Sequence, residues 1–139
     1  MPDQFRPLKD AFARYATGVA VATCLDSDGN PVAITINSFT SVSLDPALVL
    51  WCVEYRASSF PIFMGATSYG VSVLRADGQA LSRRFASREP KPLTPEEIDV
   101  WETGAPILKD RLAGFDCNVV APHKAGDHCK HGGGGVRLD

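Results

Sequence analysis

The sequence has no apolar run near the roughly 18 residues that a membrane-spanning helix needs, so no membrane partner is expected. It has no surplus of positive charge. Its 14 Lys and Arg stand against 16 Asp and Glu, for a formal net charge of −2, and the basic residues are scattered. Nucleic-acid binding needs a clustered cationic field, so that class is set aside. Residues 1 to 15 carry Asp3, Arg6, Lys9, Asp10 and Arg14 among their apolar positions, which interrupts the apolar run of a secretory leader. None of the four cysteines (Cys24, Cys52, Cys117, Cys129) forms a CxxC pair, and free thiols in a reducing cytoplasm are expected. A nucleophile elbow, a phosphate loop and a GxGxxG fingerprint are also missing. Gly132 to Gly135 has neither a strand-to-helix frame nor a following Lys-Ser/Thr. With few candidate acids and bases, hydrolysis is poorly served. A bound redox cofactor asks less of the side chains, because the protein need only position and tune it.

What is present is an ordinary globular composition: 139 residues, 45% hydrophobic and 22% charged, consistent with one domain and a real core. Phe5, Leu8, Phe12 and Tyr15 recur at helical spacing and predict a helix over residues 4 to 15. Val19 to Cys24 and Val32 to Asn37 are β-branched runs around the turn signal Asp26-Ser27-Asp28-Gly29-Asn30-Pro31, which predicts a hairpin. Further strands are expected at about 39 to 43 and 47 to 53, joined by Leu44-Asp45-Pro46. The second is continuously apolar, which suggests burial on both faces. Ser58 or Ser59 is placed to cap a short helix over Phe60 to Met64, ended by Gly65. Tyr69 to Leu74 and Phe115 to Ala121 read as strands, Gln79 to Ala86 as a helix, and 87 to 95 as a proline-rich loop. Thr94-Pro95-Glu96-Glu97 has the form of a capping box that opens a short helix. About six strands and a few helices without regular alternation predict a mainly β, α+β chain: an antiparallel barrel with peripheral short helices.

Three segments carry chemistry. Thr35-Ile36-Asn37-Ser38-Phe39-Thr40-Ser41-Val42-Ser43 places hydroxyls and an amide in nearly consecutive positions, where a half-solvated strand would alternate. That suits a ligand with many hydrogen-bonding edges, such as a flavin ring; a Thr/Ser-rich edge strand facing water is the competing reading. Arg56-Ala57-Ser58-Ser59-Phe60 puts hydroxyls and a guanidinium at a helix start, an arrangement that suits a phosphate or plain capping. Arg83 and Arg84, beside Phe85, are a further phosphate-reaching pair or a solvated helix face. Ala125-Gly126-Asp127-His128 presents an imidazole in a loop after a strand. His123, His128, Cys129 and His131 match no zinc spacing, so no metal is expected.

These segments, in this order, resemble the flavin reductase-like family with the FMN-binding split-barrel fold, in particular the small reductase components of two-component flavin monooxygenases. The likeness runs through residues 12 to 21, the stretch Ala33 to Pro46 that contains Asn37-Ser38-Phe39-Thr40-Ser41-Val42-Ser43-Leu44-Asp45-Pro46, then Leu48 to Val53, Gly70 to Leu74, Gln79 to Ser82, Phe85-Ala86 and Ala125 to His128. The resemblance implies an antiparallel split barrel and a homodimer with FMN or FAD near the subunit interface. Thr35, Ile36, Asn37, Ser38, Ser41 and Val42 would then lie against the ring. Cys52, Val53 and Glu54 would give backbone contacts, Ala57, Ser58 and Ser59 would take the phosphate end, and Arg84 and Phe85 would add contacts. NADH or NADPH would be the electron donor, with His128 orienting the nicotinamide, and reduced flavin would pass to a partner monooxygenase in the cytoplasm.

After His128 the resemblance stops. The family continues into an apolar strand, a turn and a further strand or two, whereas this chain reads Cys129-Lys130-His131-Gly132-Gly133-Gly134-Gly135-Val136-Arg137-Leu138-Asp139. The sequence therefore predicts a split-barrel domain over 1 to 128 and a disordered Gly-rich tail over 129 to 139. The last barrel strands are expected to be missing through a frameshift or truncation. In that case the alternative to a reductase is a flavin-binding module, or an inactive fragment, without turnover.

Overall fold

The computed structural model describes residues 4, 6–8, 18–44, 47–54, 56–88, 90–125 and 128–138, with backbone alone at 41, 43, 44, 121–125 and 128–138. Of the expected N-terminal helix, residues 6–8 are helical, while residues 5 and 9–15 lie outside the described residues. So do Asp45 and Pro46 of the expected turn, and Gly126 and Asp127 of the Gly-Asp-His motif.

Strands β1 (Ala20–Leu25) and β2 (Pro31–Ile36) form the expected hairpin. Asp26 closes it: its carboxylate accepts the backbone N–H groups of Asp28 and Asn30, each at 2.9 Å, and Gly29 takes the positive φ of 81°. β3 (Thr40–Leu44) pairs with β4 (Ala47–Glu54). Helix α1 (Phe60–Gly65), β5 (Ser68–Val73) and helix α2 (Gln79–Ala86) follow. The capping-box segment makes only one 3-10 turn, Pro95–Glu97, in place of the expected short helix. Then come β6 (Ile98–Val100), β7 (Pro106–Leu108), β8 (Ala113–Ala125) and β9 (His128–Leu138). Seven strands form one antiparallel sheet in the order β2-β1-β5-β8-β9-β4-β3, and β6 and β7 form a separate hairpin. The ladder does not close, so β2 and β3 are its edges.

Three expectations are corrected. The strand count is nine among the described residues; β6 and β7 are three residues each, too short to show a period. β4 is not buried on both faces: Val49, Trp51 and Val53 point inward, while Leu48, Leu50 and Cys52 are half-buried. The segment after His128 is a strand, not a disordered tail. β9 pairs with β4 on one side and β8 on the other, because a strand flanked by two others needs only its backbone groups to join the ladder.

β1 is buried throughout its first five residues, and its alternation supplies two cores. Ala20, Ala22 and Cys24 face a cluster with Trp51, Phe63, Tyr69 and Val71. There Trp51 meets Phe63 and Tyr69 edge-on, at centroid distances of 5.1 and 5.7 Å. Val21 faces Ala33, Leu74, Phe85, Leu93 and Leu108. Buried hydroxyls dock the β6–β7 hairpin on the sheet: Thr23 donates to the carbonyls of Gly70 and Pro106, and Ser72 accepts from the Leu108 N–H at 3.0 Å. Fully buried Asp116 accepts the N–H groups of Glu102 and Thr103, at 2.9 and 3.0 Å, and the Thr103 hydroxyl. These polar groups meet partners inside the protein, as burial demands.

The segment after α2 is tied down by Arg84. Its guanidinium meets the two Glu97 oxygens at 2.5 and 3.0 Å and donates to the carbonyls of Lys91 at 3.1 Å and Pro92 at 2.7 Å. Glu97 also accepts the Thr94 N–H at 3.0 Å.

Two outcomes are expected. Gly70→Ala places a methyl 2.5 Å from Ile107 Cδ1, 2.8 Å from Thr23 Oγ1 and against the Pro106 carbonyl. Backbone cannot yield there, so the variant should lose about 2–3 kcal/mol of stability, read as a fall in melting temperature; an unchanged melt would show that the hairpin docks loosely. The Arg84 guanidinium, with the Thr94 N–H, holds the Glu97 carboxyl at about 2, below its ordinary 4.5. A depressed carboxylate stabilises the fold above its unfolded value and ceases to do so as pH falls through its folded one. Melting temperature should therefore exceed that of Glu97→Gln above about pH 4.5, with the gap closing as pH falls toward 2. A gap that persists to pH 2 would mean the ion pair is not its cause.

Candidate functional site

The site lies where the two flanks of the open sheet approach one another. β2 and its exit supply Ile34, Thr35, Ile36, Asn37 and Ser38; β4 supplies Cys52, Val53 and Glu54. Together they line a cleft of about 500 Å³. The Ser38 hydroxyl joins the two sides, accepting the Cys52 N–H at 2.9 Å and donating to the Cys52 carbonyl at 3.4 Å. Thr35 donates its hydroxyl to the Ser82 carbonyl at 2.7 Å, tying α2 to the same wall. The lining alternates apolar side chains (Ile34, Ile36, Val53) with hydroxyl and amide groups (Thr35, Ser38, Asn37).

A second, larger cleft of about 940 Å³ adjoins the first, sharing Ile34, Thr35 and Glu54 in its lining. One wall carries Arg56, Ala57, Ser58 and Ser59 at the start of α1; the opposite wall carries Phe85, Arg88, Lys91 and Leu93. Ser59 occupies the N-cap position of α1, but its hydroxyl makes no capping bond, contrary to the expected cap. Its carbonyl instead accepts the Phe63 N–H at 3.0 Å. Three cationic side chains and two serines thus line one concavity, a donor set suited to a phosphate.

Of the fourteen ring and phosphate positions expected from the sequence, Thr35, Ile36, Asn37, Ser38, Cys52, Val53 and Glu54 converge on the first cleft. Ala57, Ser58, Ser59 and Phe85 line the second. Phe85 doubles as core, only 3% exposed. Ser41 and Val42 line neither cleft. The β3–β4 register shifts between Ser41 and Ser43, so Val42 is the bulged residue, and it is 57% exposed. Arg84 also lines neither cleft, since its donors are engaged with Glu97 and the Lys91 and Pro92 carbonyls. His128 is described by its backbone: it stands in register with Glu54 of β4 and Ala125 of β8, at the rim of the first cleft. Sequence reasoning missed Ile34, Arg88 and Lys91. The two cations sit in a proline-rich loop, where no periodicity tells which way a side chain faces.

The buried thiols are packing groups. Burial, aided by Asp26, pushes Cys24 up to about 12; burial, aided by Asp116, does the same to Cys117. Neither is a thiolate at neutral pH, so neither is a nucleophile. Among the described residues Cys24, Cys52 and Cys117 form no disulfide.

A family model described as "Flavin reductase like domain" matches residues 12–131. The chain is 40% identical over 123 residues to the FMN reductase (NADH) SmoA of Agrobacterium fabrum, covering 88% of this chain and 70% of that one. It is 33% identical to the reductase subunit HsaB of a flavin-dependent monooxygenase from Rhodococcus jostii, covering 88% of this chain and 63% of the relative. Among solved structures, BorF, the flavin reductase component of a bacterial two-component tryptophan halogenase, superposes with a TM-score of 0.87 at 37% identity, covering 96% of this chain and 86% of that one. The NADH:FAD oxidoreductase SgcE6 of Streptomyces globisporus, in complex with NAD and FAD fragments, superposes with a TM-score of 0.81 at 30% identity, covering 100% and 85%. The sheet is thus the split-barrel arrangement of flavin reductases, open on one side. The chain belongs to the flavin reductase-like family.

Proposed function

We propose that this protein is an NAD(P)H-dependent flavin reductase that supplies reduced FMN or FAD to a partner monooxygenase. The observation that carries this reading is the adjacency of the two clefts: an amide- and hydroxyl-lined slot shares Ile34, Thr35 and Glu54 with a groove that bears Arg56, Arg88 and Lys91. A flavin has that polarity from end to end, with a hydrogen-bonding and partly apolar ring joined through a flexible arm to phosphate. The relatives include an FMN reductase that uses NADH, an NADH:FAD oxidoreductase, and reductase components of monooxygenases.

In this reading Thr35, Ile36, Asn37 and Ser38 face the ring from β2, and Cys52, Val53 and Glu54 face it from β4. Ser58, Ser59 and Arg56 receive the phosphate end, with Ala57 and Phe85 against the arm. A bound flavin would supply the redox chemistry, as the acceptor of hydride from NAD(P)H. The chain's own task is to hold the two rings at reacting distance. His128 orients the nicotinamide, because its backbone pairing with Glu54 sets it at the cleft rim. Ser41 and Val42, remote from the cleft within one chain, are proposed to reach a ring bound near a subunit interface. Exposed Val42 and Val120, with half-buried Leu48 and Leu50, support a homodimer. A cytoplasmic setting is proposed, in keeping with the buried thiols of Cys24 and Cys117. No helix among the described residues is long and apolar enough to cross a membrane.

Two measurements test this. NADH consumption by the purified protein, followed through nicotinamide absorbance, is expected to require added FMN or FAD. Saturable flavin binding without NADH consumption would reduce the protein to a binding module, and no binding would end the proposal. His128→Ala is expected to lower kcat roughly tenfold while the KM for flavin holds, as loss of orientation should. An unchanged kcat would remove His128 from the site.

A further inference from the structure

We propose that Arg84 is a positioning residue: by clamping the backbone of the segment after α2, it holds Arg88 and Lys91 against the phosphate-bearing arm of the flavin. This rests on the flavin reductase reading above and adds a role for the wall facing Arg56.

The geometry is specific. One guanidinium spans four acceptors: both oxygens of Glu97, at 2.5 and 3.0 Å, and the carbonyls of Lys91 and Pro92, at 3.1 and 2.7 Å. Those carbonyls lie between Arg88 and Leu93, in the stretch that forms the far wall of the second cleft. The carbonyl of Arg84 itself accepts the Ser87 hydroxyl at 2.9 Å, fixing where the chain leaves α2. Glu97 is anchored in turn by the N–H and hydroxyl of Thr94, at 3.0 and 3.2 Å. The wall is therefore a strap pinned at both ends and along its middle. Leu93 adds an apolar anchor in the core beside Phe85. Only arginine can do this: its planar fork has five donors, where a lysine ammonium is a single point of charge. An extended chain spans about 3.4 Å per residue, so an unpinned strap can carry its cations well away from the groove.

The strap faces the groove and not the ring slot, which Thr35 to Ser38 and Cys52 to Glu54 build without it. The clamp should thus govern the affinity for flavins that carry phosphate and leave riboflavin, which has none, unaffected.

The test is a fluorescence-quenching titration of the full chain with FMN and with riboflavin, on the unsubstituted protein, Glu97→Gln and Arg84→Lys. Glu97→Gln removes the charge but keeps an acceptor for Thr94; Arg84→Lys keeps the charge but not the fork. The expected result is a rise of roughly tenfold in the Kd for FMN in both variants, with riboflavin held within about twofold. Equal weakening of both ligands would overturn the proposal, because it would report general damage to the fold. So would unchanged FMN binding, or an unsubstituted protein that binds FMN no more tightly than riboflavin. If the unsubstituted protein binds neither flavin, the reductase reading itself fails and this inference falls with it.

Discussion

The Ser38 hydroxyl sits between the N–H and the carbonyl of Cys52, and the cleft exists because of where those two residues come from. In the sheet, β2 and β4 are separated by β1, β5, β8 and β9, so they share no ladder. The right-handed twist of a long sheet coils its flanks toward one another. Full closure would have filled the seam with backbone hydrogen bonds and left no room for a ligand. A single side-chain hydroxyl instead fixes the spacing at one point, beside the cleft that Asn37, Val53 and Glu54 line. Ser38, two residues before Thr40, continues the β3–β4 register to Cys52, so its hydroxyl fixes how the exit of β2 meets β4.

Rigidity elsewhere makes that spacing meaningful. A site built on strands is held more closely than one on loops, provided the strands are themselves pinned. β1 is pinned from both faces, by Trp51, Phe63 and Tyr69 on one side and by Phe85, Leu93 and Leu108 on the other. Thr23 and Ser72, fully buried, turn what would be a penalty for buried polar groups into the bonds that seat the β6–β7 hairpin. Gly70 is the counterpart of that docking: a side chain there would occupy the space in which the Pro106 carbonyl and Ile107 lie. The binding surface is thus backed by a close-packed scaffold, and the mobile chemistry is left to the ligands.

How much of this was legible follows from what kind of signal each residue emits. The first cleft's wall was legible in part: the dense run of polar residues from Thr35 to Ser43 broke the alternation expected of a half-solvated strand, and its first four residues line that cleft. The hairpin at Asp26 was legible because side-chain-to-backbone bonding there is local. Arg84 was not: an arginine beside Phe85 looks the same in sequence whether it meets a phosphate or Glu97, thirteen residues later. Arg88 and Lys91 were hidden for the same reason, since a proline-rich segment has no period to assign a facing. The two-sided burial expected of β4 failed because a continuous apolar run records hydrophobicity but not which face a neighbour will cover. Leu48 and Leu50 remain half-buried in the single chain.

The glycine run shows why side-chain pattern and strand formation are separate questions. Gly132 to Gly134 pair with Leu48 to Leu50 on one side, and Gly132 to Gly135 pair with the stretch Cys117 to Ala121 on the other. Glycine in a strand costs roughly 0.5–1 kcal/mol per residue in lost chain freedom, so four of them oppose the strand by about 2–4 kcal/mol. A central position opposes that cost with hydrogen bonds along both edges, each worth about 1 kcal/mol net. An edge position would offer only half as many. The register this creates matters more than the missing side chains, because it sets Val53 opposite Cys129 and Glu54 opposite His128. The backbone of β9 therefore carries β4 into the sheet and brings the motif histidine to the cleft rim in one operation. Without β9 between them, β4 and β8 would have no ladder connecting them, and the β3–β4 hairpin, which sets Ser38 against Cys52, would be cut off from the rest of the sheet.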